Sequence, residues 1–577
     1  MIQWRSMHQR RSPTTVLSLL VLLSIASTTG ATERLPPVSN TGRPVLRDLD
    51  GTLVLARPAG YLDATFKPTH ATGAPTDVPP EKSSSPNLIL PVHPRPEATT
   101  KPSTGQKRQA SLDKTILGWT PLDDFSRTNI VDERNHPAGA KPGYTNEAWV
   151  YDTKSDVPTQ RPWLELGRDF YGTGITPPGL DLFGPTNLAR PQFYLYGDMR
   201  TGIAGGRNAI GRTDNWASRL NLDADLRLTD SERFHAFIGP LDDGANFSRW
   251  ELVSGDLRYR SEMDFTPVTA FFEGDLGAMV AGAQGMSSPA EIPFTIGLVP
   301  LLFQNGIWME DAVTGAAFTL PSRHSRLLNW SNYDATFFAI FDQLNSPAFG
   351  ADNNAAQAFG TAWFIEAYDG YIEAGYAYVR DRNVDRLRYH NLTVSYTRRY
   401  LDRISNGVRL IVNTGQDGPR SQRTADGALL LFESSYITAN PLTFVPYFNA
   451  FVGWDRPQSV ARAGVSGGIL RNSGINFETD GLNGYATLDP TGHDTAGFTV
   501  GVDLIGEDLD RQWLVEMAFQ TEHGSLNPRV DGDQYAIGTR YQIAINHRRI
   551  IRFDAMHGWR GNLDRIYGTR MEYRWKF

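Results

Sequence analysis

The chain has 577 residues, a net charge of -7 from 56 basic and 63 acidic side chains, 13 Trp, 22 Tyr and 29 Phe, and no cysteine. The absence of cysteine excludes disulfides, thiolate metal centres and cysteine nucleophiles, and so mild a charge gives no nucleic-acid footprint. A mean hydropathy of -0.36 with no long apolar run after residue 31 excludes a helical membrane protein, but not a β-barrel, whose strands are apolar on one face only.

The first 31 residues have the layout of a secretory signal peptide. Arg5, Arg10 and Arg11 stand without an acid, residues 16 to 26 are almost wholly apolar, and residues 27 to 31 are small, with Ala31 as the last residue before cleavage. The apolar core is too short for a transmembrane helix, which needs about 20 residues. Residues 32–110 are dense in proline, from Pro36 and Pro37 to Pro102. Proline removes a backbone donor and fixes φ, so this stretch reads as a disordered linker, with contact to the cell wall as its sharper alternative. Residues 111–189 hold aromatic and proline clusters such as Arg161-Pro-Trp163 and Gly179-Leu-Asp-Leu-Phe-Gly-Pro185 with no sustained period, which suggests an irregular segment docked on a barrel or plugging it.

From residue 190 to 577 apolar and polar residues alternate in runs of about nine, the length a tilted strand needs to cross a bilayer. Leu220, Leu222, Ala224 and Leu226 alternate with Arg219, Asn221, Asp223, Asp225 and Arg227; Phe498, Val500 and Val502 alternate with Thr499, Gly501 and Asp503. Trp513, Val515, Met517 and Phe519 share a face opposite Glu516, as Ile537, Thr539 and Tyr541 do opposite Arg540. Segments starting near 192, 217, 233, 249, 267, 293, 333, 361, 371, 388, 405, 427, 442, 497, 511, 535, 549 and 566 give an all-β, transmembrane antiparallel barrel of about 18 strands, within 16 to 18. Residues 310–329, 345–359 and 455–494 read as external loops, one of which could fold inward as a constriction. The final run places Met571, Tyr573, Trp575 and Phe577 on one face and Arg570, Glu572, Arg574 and Lys576 on the other. It resembles the terminal strand by which outer-membrane barrels are recognised, which implies the barrel-assembly machinery and outer-membrane lipid as partners.

Phe294-Thr-Ile-Gly-Leu-Val-Pro-Leu-Leu-Phe-Gln-Asn-Gly306, a strand with a central glycine followed by an aromatic and Asn-Gly, resembles a strand of the alginate-export group of outer-membrane porins. That resemblance implies passage of small hydrophilic solutes, including anionic sugars, through an outer-membrane channel; basic residues expected within the segment are replaced by Leu298, Val299 and Pro300. If alternation holds, the lumen side chains that set selectivity are Arg219, Asp223, Asp225, Arg227, Glu373, Arg409, Asp503, Glu516, Arg540, Arg570, Glu572 and Arg574. Ion pairs that only rigidify the wall are the alternative role for them.

Catalytic signals are weak. Gly464-Val-Ser-Gly-Gly468 matches a nucleophile elbow without the strand-to-helix context that pattern requires. Asp480, Asn483, Asp489 and Asp494 are oxygen ligands off the EF-hand spacing, and His493 has no second histidine at ligand spacing. The expectation is a porin without cofactor or covalent chemistry, with a homotrimer left open. A plugged barrel tethered to the cell wall and a rim hydrolase are the competing readings.

Overall fold

The computed structural model describes residues 161–167 and 179–577, apart from 245, 350–354, 479–480, 507–509 and 525–526. The expected signal peptide and proline-rich linker, and most of the segment 111–189, lie outside the described residues. Strands that are apolar on one face need a sheet without an open edge if that face meets lipid. Eighteen of them supply it: β1 Gln192–Arg207, β2 Asn215–Arg227, β3 Arg233–Ile238, β4 Pro267–Asp275, β5 Pro293–Phe303, β6 Met309–Ser325, β7 Trp330–Asp342, β8 Ala356–Ala367, β9 Gly370–Asp381, β10 Tyr389–Tyr400, β11 Ile404–Thr414, β12 Ala428–Tyr436, β13 Phe444–Trp454, β14 Thr495–Ile505, β15 Arg511–Glu522, β16 Gln534–Asn546, β17 Arg549–Arg560 and β18 Leu563–Lys576. Each pairs antiparallel with its neighbours in sequence, and β18 returns to β1 with Glu572 opposite Gly202, closing the ring.

The strand number is the expected one, but two segments exchange places. Residues 249–253 are not a separate stave; with Asp256–Arg260 they form a hairpin that extends the sheet beside the outer end of β2. Residues 310–329, read as an external loop, are instead most of β6 and the turn that follows it. The inner face of β6 packs on chain inside the lumen, so its inner positions Val313 and Ala317 are apolar like the outer Phe318, and the apolar–polar alternation that marks other strands is lost. The connection read as 345–359 is also shorter than expected, since β8 begins at Ala356.

One end of the barrel has tight turns. Tyr368 and Asp369 join β8 to β9, both at positive φ, as a two-residue hairpin requires if it is to match the strand twist. The last residue of the chain also lies at this end, the periplasmic one, and residues 455–494 leave from the opposite, external end. Val394, Val500 and Met517 are exposed on the outer face. Trp216, Trp454 and Trp559 ring its external edge, with Trp513 and Trp575 on the periplasmic edge, as in barrels that span a bilayer.

The described residues before β1 stay at the periplasmic foot. Leu164–Leu166 pairs with Phe193, Tyr194 and Leu195 of β1, occupying the stretch of edge that β18 does not reach. The Trp163 ring meets Phe577 edge-on at 5.8 Å. Residues 179–189 run past the turn between β2 and β3, where Arg190 pairs with Asp230 at 2.8 Å, and touch a helix, α1 Leu276–Ala283, in the connection between β4 and β5.

Candidate functional site

Besides the β3–β4 connection, where Asp242 meets Arg219 at 3.3 Å and Phe247 packs on Ala217 and Leu482, two segments line the lumen. The first is the tip of the β5–β6 hairpin. Residues 299–303 of β5 pair with β6 but not with β4, and residues 309–313 of β6 have no partner on β7, so the tip leaves the wall. It turns through Gln304, Asn305 and Gly306, all at positive φ, which accounts for the Gln-Asn-Gly of the sequence motif. Trp308 is fully buried across the lumen: its Nε1 donates to Asn391 Oδ1 of β10 at 2.9 Å, and its ring lies where Gly375 of β9 leaves room. A Cβ on Gly375 would stand 2.5 Å from that ring.

The second is the long connection 455–494, whose ends clasp each other through Asp455 N to Asp494 Oδ1 at 2.7 Å. Gln458 O accepts from Asn391 and Asn413. Residues 461–462 then add a short parallel pairing to Met309 and Glu310 of the hairpin tip. Further on, Ser473 O accepts from Asn449 and Thr499 at 2.8 and 2.7 Å. The Glu516 carboxylate of β15 accepts from Ile475 N, Asn476 N and Asn476 Nδ2 at 3.0, 2.9 and 2.8 Å, and from the Tyr447 hydroxyl at 2.6 Å. Glu478 meets Arg540 of β16 at 2.8 Å, and Asn483 Nδ2 donates to Gly202 O of β1 at 2.8 Å. The connection thus follows the inner wall from β10 past the seam.

These segments divide the inner face by height. In the external half apolar wall residues share the lining with buried amides: Ile411, Leu429, Leu431, Phe451 and Met556 pack on Leu470, Phe477 and Leu488 of the connection, while Asn391, Asn413, Gln520 and Gln534 are buried on the same face. Phe338, Ile340 and Val379 pack on Trp308 and Met309. The periplasmic half is ionic. Asp554 of β17 sits between Arg540 and Arg570, each at 2.8 Å, with Arg552 at 2.9 Å. Arg200 grips Glu572 with two bonds of 2.9 and 2.8 Å across the seam, and Arg574 meets Asp198 at 3.1 Å. Guanidinium forks matched to carboxylates in this way hold fixed geometry in a low-dielectric wall.

All twelve proposed lumen residues stand on the inner face. Besides those already placed, Asp225 accepts from Tyr196 at 2.7 Å and lies 2.9 Å from His235 Nδ1, with Asp223 3.6 Å from the other ring nitrogen. Arg219 faces Asp242 at 3.3 Å, and Arg227 lies over the Tyr194 ring at 5.8 Å. Arg409 joins Glu373 and Glu433, each at 3.3 Å, and donates to Gln304 of the hairpin tip at 3.0 Å. Asp503 accepts from Gln512 at 2.6 Å. Met571, Tyr573 and Trp575 stand on the outer face, while the Phe577 backbone exchanges hydrogen bonds with Gly197. Sequence reasoning missed Asp198, Arg200, Glu433, Glu478, Arg552 and Asp554. The pair in β17 was readable, because Ile551, Phe553 and Ala555 alternate with Arg552 and Asp554.

The other sequence signals sit in the inward connection. Gly464–Ser466 is a single 3-10 turn whose Ser466 carbonyl accepts from Arg462 and Arg471 at 2.6 and 3.0 Å. Asp489 accepts from Thr491 and Asn527, and Asp480 lies outside the described residues. Among the described residues no group of three or more His, Cys, Asp or Glu is placed to hold a metal ion. Burial pushes the His493 imidazole below its ordinary pKa; it lies 3.2 Å from Gln458 at the base of the connection.

No family model and no curated protein sequence matches the chain. Among solved structures it is similar to Pseudomonas aeruginosa OccK9 (OpdG), with a TM-score of 0.45 and 10% identity over 67% of this chain and 98% of that one. It is also similar to OccK11 (OpdR) of the same organism, with a TM-score of 0.44 and 9% identity over 67% and 96%. A third is Wzi of Escherichia coli, described as an outer membrane protein of capsule assembly and a carbohydrate-binding β-barrel, with a TM-score of 0.40 and 13% identity over 66% and 84%. The assignment itself stands on the strand pairings and the apolar outer band: the chain is a closed, 18-stranded transmembrane β-barrel of the outer-membrane type.

Proposed function

We propose that the protein is an outer-membrane porin that passes small hydrophilic solutes or ions by diffusion through a lumen narrowed by its own chain. The observation that carries this reading is the ionic periplasmic half of the inner face, set below two segments held against the wall. A ring of 18 strands encloses enough width for an aqueous path even when part of it is lined by loops. Arg200, Arg219, Arg552, Arg570 and Arg574 cluster on β17, β18, β1 and β2. Glu373 and Glu433 stand on β9 and β12. Those arginines stand beside Glu572, Asp242, Glu478, Asp554 and Asp198, and Glu373 and Glu433 flank Arg409, so the lining is polar and ion-paired and suits hydrated solutes, with anionic sugars as the substrate class suggested by the 294–306 motif. The reading needs no cofactor. A homotrimer or a cell-wall contact through residues 32–110 would add to it without changing it.

The test is single-channel current of the full chain in a planar bilayer under a salt gradient, beside a variant in which residues 463–490 are replaced by a short Gly/Ser linker. Discrete steps in the full chain are expected, with the reversal potential reporting which sign of ion the lumen favours. A folded barrel that shows no steps in either form would overturn the porin reading; steps only in the shortened form would replace it with a plugged barrel.

A further inference from the structure

Helix α1 reads Leu-Gly-Ala-Met-Val-Ala-Gly-Ala, without one polar side chain, yet only Ala281 and Gly282 are buried by protein. A helix that is apolar all round needs an apolar environment all round. Its packed side is accounted for. A Cβ on Gly282 would stand 2.6 Å from Asn187 Cβ, and the Thr186 hydroxyl donates to Met286 O at 2.6 Å, so residues 180–189 close on that face. The other side carries Leu276, Met279 and Val280 into the open, beside Leu180, Leu182 and Phe183, with Leu182 68% and Val280 58% exposed.

The position of this patch identifies what covers it. Phe272 lies on the outer face of β4, since the adjacent Phe271 and its partner His235 face the lumen with Asp225. Gly274 shares the outer face, and a Cβ there would stand 3.2 Å from Glu232 Cγ and 3.4 Å from the Phe294 ring. Glu232 is therefore on the outside of the barrel foot, where Asn187 Nδ2 donates to it at 2.8 Å together with the Thr229 and Ser231 hydroxyls. That buried carboxylate is satisfied by residues 187 and 229–231 and sealed from the lipid side. Outward from it, the Phe234, Phe272 and Phe294 rings meet in tilted pairs at 4.9 and 5.8 Å within the lipid-facing band. The patch on α1 and residues 180–183 continues that band below the strands.

We propose that α1 and residues 180–183 form an apolar foot that lies in the periplasmic leaflet and takes phospholipid acyl chains as its partner. An interfacial element of this kind is held by its buried apolar area, and it would fix the depth and tilt of β3 to β5, which include the shortest strand of the wall, β3. The inference needs only the barrel in a bilayer and does not rest on transport.

Because the chain has no native cysteine, single-cysteine variants report one site each. Val280→Cys and Leu182→Cys would be nitroxide-labelled in the full chain, reconstituted in phosphatidylethanolamine and phosphatidylglycerol vesicles. Met517→Cys on the outer band and Ile210→Cys on an external loop serve as references. Collision rates with oxygen, which partitions into lipid, and with a water-soluble nickel chelate are then compared. Expected is an oxygen excess at 182 and 280 of the same sign as at 517 and opposite to 210. A nickel excess at both sites would overturn the proposal by placing the foot in water. Protection from both reagents would also overturn it, showing cover by protein from another part of the chain or a second copy.

Discussion

The external and periplasmic halves of the lumen are built on the same strands but face different surroundings. Above, the inward positions include Leu429, Leu431, Phe451 and Ile566, because folded chain rather than water lies against them. Below, the inward positions include Arg540, Asp554, Arg570 and Glu572, each ion-paired within the wall. The two-residue period survives through both halves. What changes is which solvent the inner face meets, and this sets where the channel is structural and where it is electrostatic.

Removing the upper lining should give the largest effect. With residues 463–490 replaced by a short linker, single-channel conductance is expected to rise several-fold, and the exposed apolar wall should bind a hydrophobic dye such as ANS. Unchanged conductance would mean that the narrowest point lies in the ionic half. Next, Glu572→Ala removes the carboxylate that the buried Arg200 grips across the seam, and breaking such a pair costs about 3–5 kcal/mol. Urea unfolding in lipid vesicles measures it, and the reversal potential should move toward anions. Glu516→Ala removes the acceptor shared by Ile475, Asn476 and Tyr447, with an expected loss of about 1.5–3 kcal/mol and a noisier open current as the connection detaches. A quiet current in that variant would show that the connection is held elsewhere.

The smallest effect is pH-dependent. His493 is held neutral by burial, so its folded pKa lies below 6.5 and the released connection binds the proton first. Docking of the connection is therefore at full strength above about 6.5 and weakens as pH falls below it. Current noise should rise on acidification, and His493→Gln should flatten that response.

How much of this was legible varies with what each face touches. β18 was readable to the residue because Met571, Tyr573 and Trp575 meet lipid while Arg570, Glu572 and Arg574 meet ions. β6 was not, because Val313 and Ala317 point into packed chain and leave no polar register to read, so Glu310 and Asp311 looked like loop residues. The hairpin 249–260 was mistaken for a stave because Trp250 and Leu252 alternate with Arg249 and Glu251 as wall residues do, and in the fold Trp250 meets Tyr259 at 5.0 Å instead. The twelve inward side chains followed from alternation, but their partners come from strands distant in sequence and from a Gly-, Asn- and Asp-rich connection. Composition of that kind reads as external loop, and nothing local in it reports the wall it docks against.

The seam also sets an order of events. Arg200 and Glu572 are 372 residues apart, whereas most sequence neighbours are joined by far shorter connections. Local pairs therefore have little chain entropy to overcome, and the ring-closing pair has the most. Until β18 arrives, β1 offers an unpaired edge along which a foreign strand could add. Residues 164–166 pair with that edge at Phe193 to Leu195, so part of it can be guarded by the chain's own earlier segment while the barrel is still an open sheet.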